Sequence, residues 1–466
     1  MTAQPDPKPL ALPPEIFKAY DIRGIVGQSL TPEGVERIGL AFGSTIREQG
    51  GTQVVVGRDG RLSGQELVDA LIRGLRDAGV DVAYLGPVTT PMTYFAAHHL
   101  GCGHAVMVTG SHNPPDYNGL KLVLDNAALS GDAIQALRQR CERGDFTRGR
   151  GALHAHDIFP AYLARIRSDL RLARPMKVVL DAGNGIAGAY APALFEALGC
   201  VVDPLFCEVD GHFPNHHPDP SEPANLVQLI ARLQAGDAEL GLAFDGDGDR
   251  LGVVTRAGII IYPDRLLMAL AADVLARHPG GTVIYDVKSS GRLHGWIRDH
   301  GGQPLLWKTG HSVLKAKMRE TGALLAGEVS GHMFFAERWY GFDDGLYAGA
   351  RLLEILSCHP DPGAVLEALP ESLSTPELHI PMAEGAPHAL IDSLRAQARF
   401  EGAREVIHLD GLRVEYPDGF GLVRASNTTP VVVLRFEAED ASALARIQAD
   451  FRRVLNQALP GVALPF

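Results

Sequence analysis

The chain has 466 residues and a formal net charge of −12, with 46% hydrophobic and 21% charged residues. That is the balance of a folded globular protein, and the length exceeds one hydrophobic core, since domains usually hold about 100–200 residues. The acid excess and the absence of any run of five or six basic residues argue against a general binder of nucleic acid or acidic membrane, which needs a basic face, so an anionic ligand must find local cations.

In chain order, the stretch from Met1 to Pro14 is proline-rich and lacks a long apolar core, so it reads as a loose tail and not as a signal peptide. No later apolar run approaches the roughly 18–20 residues of a membrane helix. The five cysteines, Cys102, Cys141, Cys200, Cys207 and Cys358, are odd in number and form no C-x-x-C pair. Reduced thiols in a cytoplasmic protein are therefore expected.

One pattern then recurs three times. An apolar, β-rich run ends in a polar loop, a helical stretch follows, and a second apolar run ends in a glycine-rich loop. The first pass runs from Val54-Val55-Val56 to Ala105-Val106-Met107-Val108 and the loop Thr109-Gly110-Ser111-His112-Asn113-Pro114. The second runs from Val178-Val179-Leu180 to Leu240-Gly241-Leu242-Ala243-Phe244 and the loop Asp245-Gly246-Asp247-Gly248-Asp249-Arg250. The third runs from Val283-Ile284-Tyr285 to Ala323-Leu324-Leu325-Ala326 and the loop Gly327-Glu328-Val329-Ser330-Gly331-His332. Strands alternating with helices imply β-α-β units, whose ligands bind beyond the carboxyl ends of strands. Beyond about residue 371 the texture changes. Leu378-His379-Ile380 and Val431–Phe436 read as strands and Ala441–Leu459 as an amphipathic helix, so a smaller α+β domain is expected at the end. The fold class is α/β: three similar mixed or parallel-sheet domains plus a C-terminal α+β domain. Their expected bounds are residues 1–156, 157–259, 260–371 and 372–466.

The loops carry the chemistry. In an extended loop alternate side chains share a face, so Asp245, Asp247 and Asp249 converge. Crowded carboxylates repel unless a cation lies between them, and hard oxygen ligands suit Mg²⁺. An EF-hand fits poorly, because its sixth and twelfth positions would be Arg250 and Arg256 where Gly and Glu are needed. Ser111 alone is a weak nucleophile; as a phosphoserine it would complete the coordination of a cation on the three aspartates. Arg424-Ala425-Ser426-Asn427-Thr428-Thr429-Pro430 offers one guanidinium among small donors, an inventory suited to phosphate. Glu328 and Ser330 can hold sugar hydroxyls. His212, His216 and His217 match no zinc spacing and read as structural. Gly183-Asn184-Gly185-Ile186-Ala187-Gly188, with Asp203 behind it, matches the dinucleotide-binding fingerprint. That reading leaves the aspartates and the Ser111 loop unexplained and ranks second.

The loops at Thr109–Pro114, Asp245–Arg250, Gly327–His332 and Arg424–Thr429, with Lys18-Ala19-Tyr20-Asp21-Ile22-Arg23-Gly24 near the start, resemble the signature segments of the α-D-phosphohexomutases in order and spacing. Within that superfamily the resemblance is greatest to the bacterial bifunctional phosphomannomutase/phosphoglucomutase group. It implies four domains around a central cleft, a phosphoserine at Ser111, and one Mg²⁺ held by Ser111, Asp245, Asp247 and Asp249. It implies sugar contacts from Glu328 and Ser330. Tyr20, Arg23, Lys288, Arg424, Ser426, Asn427, Thr428 and Thr429 would surround the non-reacting phosphate. Lys121, Arg250, His311 and His332 would line the reaction centre, with Lys121 and His311 chosen for proton transfer and Arg23 counted with the catalytic set. The implied activity is reversible interconversion of hexose 1-phosphate and hexose 6-phosphate through a hexose 1,6-bisphosphate. Val329 fits the glucose/mannose group better than the glucosamine group. The Gly183 motif is at home in this family as a structural turn. A cytoplasmic monomer acting on small sugar phosphates is expected.

Overall fold

A computed structural model describes residues 12–427 and 429–466. Thr428 and most of the N-terminal tail, with the signal-peptide reading made there, lie outside the described residues. The chain forms two compact units. The first holds the residues up to Pro263 together with Ser330–Glu367, and the second holds Asp264–Val329 and Ala368–Phe466.

In the first unit one sheet runs in the order Ile22–Ile25, Tyr117–Leu124, Ala105–Val108, Gln53–Arg58, Asp81–Pro87, Leu153–Ala155. Gln53–Arg58 is parallel to both of its neighbours, while Tyr117–Leu124 runs antiparallel to Ala105–Val108. A second sheet has Lys177–Asp181 parallel to Leu240–Phe244 and to Val201–Leu205, with Leu251–Thr255 antiparallel on the far side. The Ser111 and aspartate loops thus leave the carboxyl ends of parallel strands, as their positions after apolar runs predict. The helices Pro32–Glu48 and Gly64–Asp77 cross almost backbone to backbone. A Cβ on Gly74 would lie 2.0 Å from the Glu36 carbonyl oxygen, so a larger residue there would force the pair apart. The end of the supposed loose tail is anchored: Leu12, Ile16 and Phe17 are buried in this core, because three apolar side chains gain more from burial than the short chain loses in freedom.

In the second unit Gln303–Trp307, Thr282–Asp286 and Leu325–Gly327 run parallel in that order. The last strand starts later than the apolar run Ala323–Ala326 suggests. Gly322, in the left-handed region at φ +69°, ends the helix His311–Thr321, and Ala323 and Leu324 are spent on entering the sheet. The chain then builds an antiparallel sheet from Leu412–Tyr416, Gly419–Ala425 and Val431–Ala438, covered by Ala386–Gln397 and Ala441–Ala458.

The Gly183 motif does not open onto a ligand. A 3₁₀ turn, Ile186–Ala189, precedes a short helix at Ala191–Ala197. Cβ atoms on Gly183 and Gly185 would meet Pro218 and Gly246 at 3.0 Å, and one on Gly188 would meet the Cys207 carbonyl oxygen at 2.2 Å. The Ile186 N–H donates to the Gly246 carbonyl at 3.1 Å. The glycines serve close packing of chain on chain where a pyrophosphate would otherwise sit.

All five thiols are free, and among the described residues no helix is long and apolar enough to cross a membrane. Burial pushes the Cys141, Cys200 and Cys207 thiols up to about 12 and raises that of Cys102, whereas Cys358 is exposed. Since the thiolate is the reactive form, a disulfide-exchange reagent at pH 8 should titrate Cys358 rapidly in the native protein. All five should react after denaturation, as peptide mapping would show.

Candidate functional site

Ser111 is 2% exposed and sits in the left-handed region at φ +48°, a conformation that side-chain-bearing residues rarely take without support. The support is the Arg61 guanidinium, itself 1% exposed. It donates to the carbonyls of Ser111 (2.7 Å), Asn113 (2.5 Å), Pro114 (2.5 Å) and Tyr117 (3.0 Å). Asp59 completes the cradle: its carboxylate accepts from the Thr109 hydroxyl and the Gly110 N–H and lies 3.3 Å from Arg61 Nε. Burial raises the Asp59 carboxyl even though Arg61 opposes this. His217, from the second sheet's loops, bonds the His112 carbonyl, while His216 is 3.1 Å from Asp181. Both keep the structural role expected of them.

The cradle presents the Ser111 hydroxyl to the second sheet, where it donates to Asp245 Oδ2 at 3.0 Å. Gly246 makes this approach possible, because a Cβ there would lie 2.4 Å from the Ser111 carbonyl oxygen. Gly248, at φ +77°, supplies the bend. Asp245, Asp247 and Asp249 are fully buried, with carboxylate oxygens within 4.8 Å of one another, so the group could hold a metal ion. Lys121 projects from the buried strand Tyr117–Leu124 and donates to Asp247 Oδ2 at 2.7 Å and Asp249 Oδ2 at 2.5 Å. Asp247 Oδ2 also accepts from the Thr90 hydroxyl at 2.6 Å. Burial and its two neighbours raise the Asp245 carboxyl well above the carboxylate range. For Asp247, Lys121 and the hydrogen bonds outweigh burial and hold the carboxyl well below it. Asp247 Oδ1 and Asp249 Oδ1 are buried and accept no hydrogen bond. Orphaned carboxylate oxygens beside a surplus of negative charge fit a hard divalent cation.

Burial opposes the charge on Lys121, but Asp247 and Asp249 prevail and raise its pKa well above the ordinary value. Lys121 is thus held as a cation between the two carboxylates. His332 is placed differently. Arg250 Nε donates to His332 Nε2 at 3.1 Å, which puts the ring proton on Nδ1, facing Asp343 Oδ2 at 3.1 Å and Asp249 Oδ1 at 3.5 Å. Arg250 itself is drawn toward Asp245 (3.8 Å) and Asp219 (3.9 Å). Arg23 bonds Asn113 of the Ser111 loop and Asp21. Tyr20 and Ser330 also belong to this unit.

The remaining candidates belong to the second unit. Lys288 follows the strand Thr282–Asp286 and donates to Glu377 Oε1 at 2.5 Å. Arg424 ends the strand Gly419–Ala425, with Nε donating to Asp410 Oδ2 at 3.2 Å, and the same oxygen accepts the Thr309 N–H at 3.1 Å. Glu328 Oε1 accepts the Gly310 N–H at 2.5 Å, next to His311 at the start of its helix. Ser426 Oγ accepts from the Thr429 N–H and hydroxyl, and Asn427 lies between them in the turn.

Sequence reading missed Asp59, Arg61, Thr90, Asp343, Glu377 and Asp410. Arg61 has its targets some 50 residues on, which leaves no local signal. Asp343 lies beside Asp344, which caps the helix Gly345–Leu356. Arg61→Ala should leave Asp59 buried without its cation. We expect a loss of about 3–5 kcal/mol in stability, read as a fall in the unfolding midpoint of the variant.

Four family descriptions match consecutive parts of the chain: phosphoglucomutase/phosphomannomutase alpha/beta/alpha domain I over residues 14–148, domain II over 160–258, domain III over 262–373, and the C-terminal domain over 377–454. The chain is 57% identical over 445 residues to the phosphoglucomutase of Neisseria gonorrhoeae, covering 95% of this chain and 97% of that one. It is 56% identical over 456 residues to the phosphomannomutase/phosphoglucomutase of Pseudomonas aeruginosa, covering 98% of each. The crystal structure of a phosphoglucomutase/phosphomannomutase family protein from Burkholderia thailandensis superposes with a TM-score of 0.93 at 60% identity, over 97% of this chain and 99% of that one. Matched by all four domain descriptions in order and by relatives more than half identical over nearly its whole length, this chain belongs to the phosphoglucomutase/phosphomannomutase family of α-D-phosphohexomutases.

Proposed function

We propose that the chain reversibly interconverts the 1-phosphates and 6-phosphates of mannose and glucose, through phosphorylated Ser111 and a hexose 1,6-bisphosphate. The observation that carries this reading is the 3.0 Å hydrogen bond from the Ser111 hydroxyl to a group of three fully buried carboxylates. A serine so placed is set to carry a phosphoryl group where charge can be handled. Asp245, Asp247, Asp249 and an oxygen on Ser111 would hold one Mg²⁺, which when bound would neutralise charge on the phosphoryl group.

The chain's own residues supply the rest. The P–O bond to Ser111 breaks as a new P–O bond forms to the free 1- or 6-hydroxyl of the sugar, and the hydroxyl proton passes to a base. His332 is assigned this role: its Nδ1 lies 3.1 Å from Asp343 Oδ2, which would offset the positive charge that protonation brings, and its Nε2 lone pair, which here accepts from Arg250 Nε, would take the proton once Arg250 turns to the phosphoryl group. Lys121 and Arg250 supply positive charge at the reacting end. In the return half-reaction the bisphosphate, turned end for end, gives its other phosphoryl group back to Ser111. The non-reacting phosphate is assigned to Lys288, Arg424, Ser426, Asn427, Thr428 and Thr429, with Tyr20 and Arg23. The sugar hydroxyls are assigned to Glu328, Ser330 and His311. A site that accepts either end of the ligand needs adaptable donors, which hydroxyls and a flexible ammonium provide. The free thiols suit a cytoplasmic enzyme, and we take it to act as a monomer, with its four domains bounded near residues 156, 259 and 371.

With Mg²⁺ and a trace of glucose 1,6-bisphosphate, glucose 1-phosphate should yield glucose 6-phosphate; free phosphate as the main product would refute the reading. Ser111→Ala should lower kcat by about 10³-fold or more and leave the circular dichroism spectrum intact. Chelation of divalent cations should remove activity, and added Mg²⁺ should restore it. Turnover of mannose 1-phosphate within about tenfold of the glucose 1-phosphate rate would support dual specificity, since the two sugars differ at one hydroxyl.

A further inference from the structure

Both cations assigned to the phosphate in the second unit already have carboxylate partners. Lys288, with its side chain 8% exposed, is paired with Glu377, whose side chain is 30% exposed. Arg424, 5% exposed, is paired with Asp410, 16% exposed. The partners come from unrelated places: Glu377 stands just before the strand Leu378–Pro381, and Asp410 just before Leu412–Tyr416. In each pair the cation is the buried member and the anion the one that reaches water. A buried cation left alone is strongly unfavourable, so each needs a counter-charge whenever no ligand supplies one. The carboxylate is the partner that can step aside, because solvent stabilises it once released. Lys288 holds the Glu377 carboxyl well below the usual range although burial opposes this, so the pair is ionised. His379 Nε2, 4.0 Å from Glu377 Oε2, offers the displaced carboxylate a second partner. Arg413 in the same unit shows a guanidinium used for structure. It donates to the carbonyls of Val287 and Ser289 at 2.7 Å, pairs with Glu415, and stacks 3.6 Å above the Phe420 ring. Arg413 thereby fixes the backbone on both sides of Lys288, so Lys288 needs no ion pair to hold its loop in place.

We propose that Glu377 and Asp410 are internal competitors for the ligand's phosphate: they neutralise Lys288 and Arg424 in the empty site and weaken the grip on the filled one, so that the hexose 1,6-bisphosphate can let go and turn round in each cycle. The inference rests on the assignment of Lys288 and Arg424 to the non-reacting phosphate. A site that must release a dianion once per turnover gains nothing from holding it at full strength, since binding that is uniform along the reaction lowers KM without raising kcat.

The test measures glucose 1,6-bisphosphate affinity by calorimetry in the Ser111→Ala background, where no phosphoryl group moves. Glu377→Gln, close in shape but uncharged, should tighten the dissociation constant about two- to fivefold, the scale of a partly exposed ion pair. Asp410→Asn should act in the same direction. In a Lys288→Ala background, which itself weakens binding, Glu377→Gln should have no further effect. With Ser111 present, Glu377→Gln should lower both KM and kcat; a residue that only supports the fold would raise KM or lower the melting temperature. Unchanged or weaker binding in both folded carboxylate variants overturns the inference while the phosphate assignment stands. Native-like affinity in Lys288→Ala overturns that assignment and the inference with it. Should Glu377→Gln fail to fold, Asp410→Asn alone decides, by the same two readouts.

Discussion

Crowded negative charge at Asp245, Asp247 and Asp249 is the constraint on which the first unit's site depends. Three carboxylates removed from water in one loop repel one another and cannot all remain ionised without cations close by. Lys121 answers two of them and Arg250 leans toward the third, yet two oxygens remain buried without a hydrogen bond. The Asp245 carboxyl, with no lysine on it, is the one that titrates upward, and it is also the one that meets Ser111. The serine therefore faces the carboxylate with the least counter-charge, where a divalent ion and a phosphoryl oxygen would relieve the most repulsion.

Holding a serine at that spot has structural consequences well away from it. Its backbone is forced into the left-handed region, the Arg61–Asp59 pair is buried to hold the loop, and Gly246 must lack a side chain so that the two loops can touch. Each of these features is costly by itself and intelligible only together with the others. The same logic extends to His332. Arg250, which leans toward the aspartates, also donates to its Nε2, while Asp343 Oδ2 lies 3.1 Å from its Nδ1.

The second unit handles charge in the opposite sense. Lys288 and Arg424 are each matched by a carboxylate closer to the surface, which offsets their charge within the unit. The first unit gathers buried carboxylates with orphaned oxygens, an arrangement that suits a divalent ion.

Much of this was legible in the chain because alternation and punctuation are local. Apolar runs ending in glycine-rich loops located the strands at Ala105–Val108, Leu240–Phe244 and Thr282–Asp286 and placed Ser111, the aspartates and Lys288 at their ends. The convergence of Asp245, Asp247 and Asp249 follows from a two-residue period. The tertiary structure alone decided which charges meet. Arg61 finds its carbonyls, Lys121 its aspartates and Lys288 its Glu377 across about 50–130 residues of chain, distances over which no period or propensity carries information. It also decided that Lys121 is held as a cation between Asp247 and Asp249, because protonation is set by burial and by neighbours that only folding brings together.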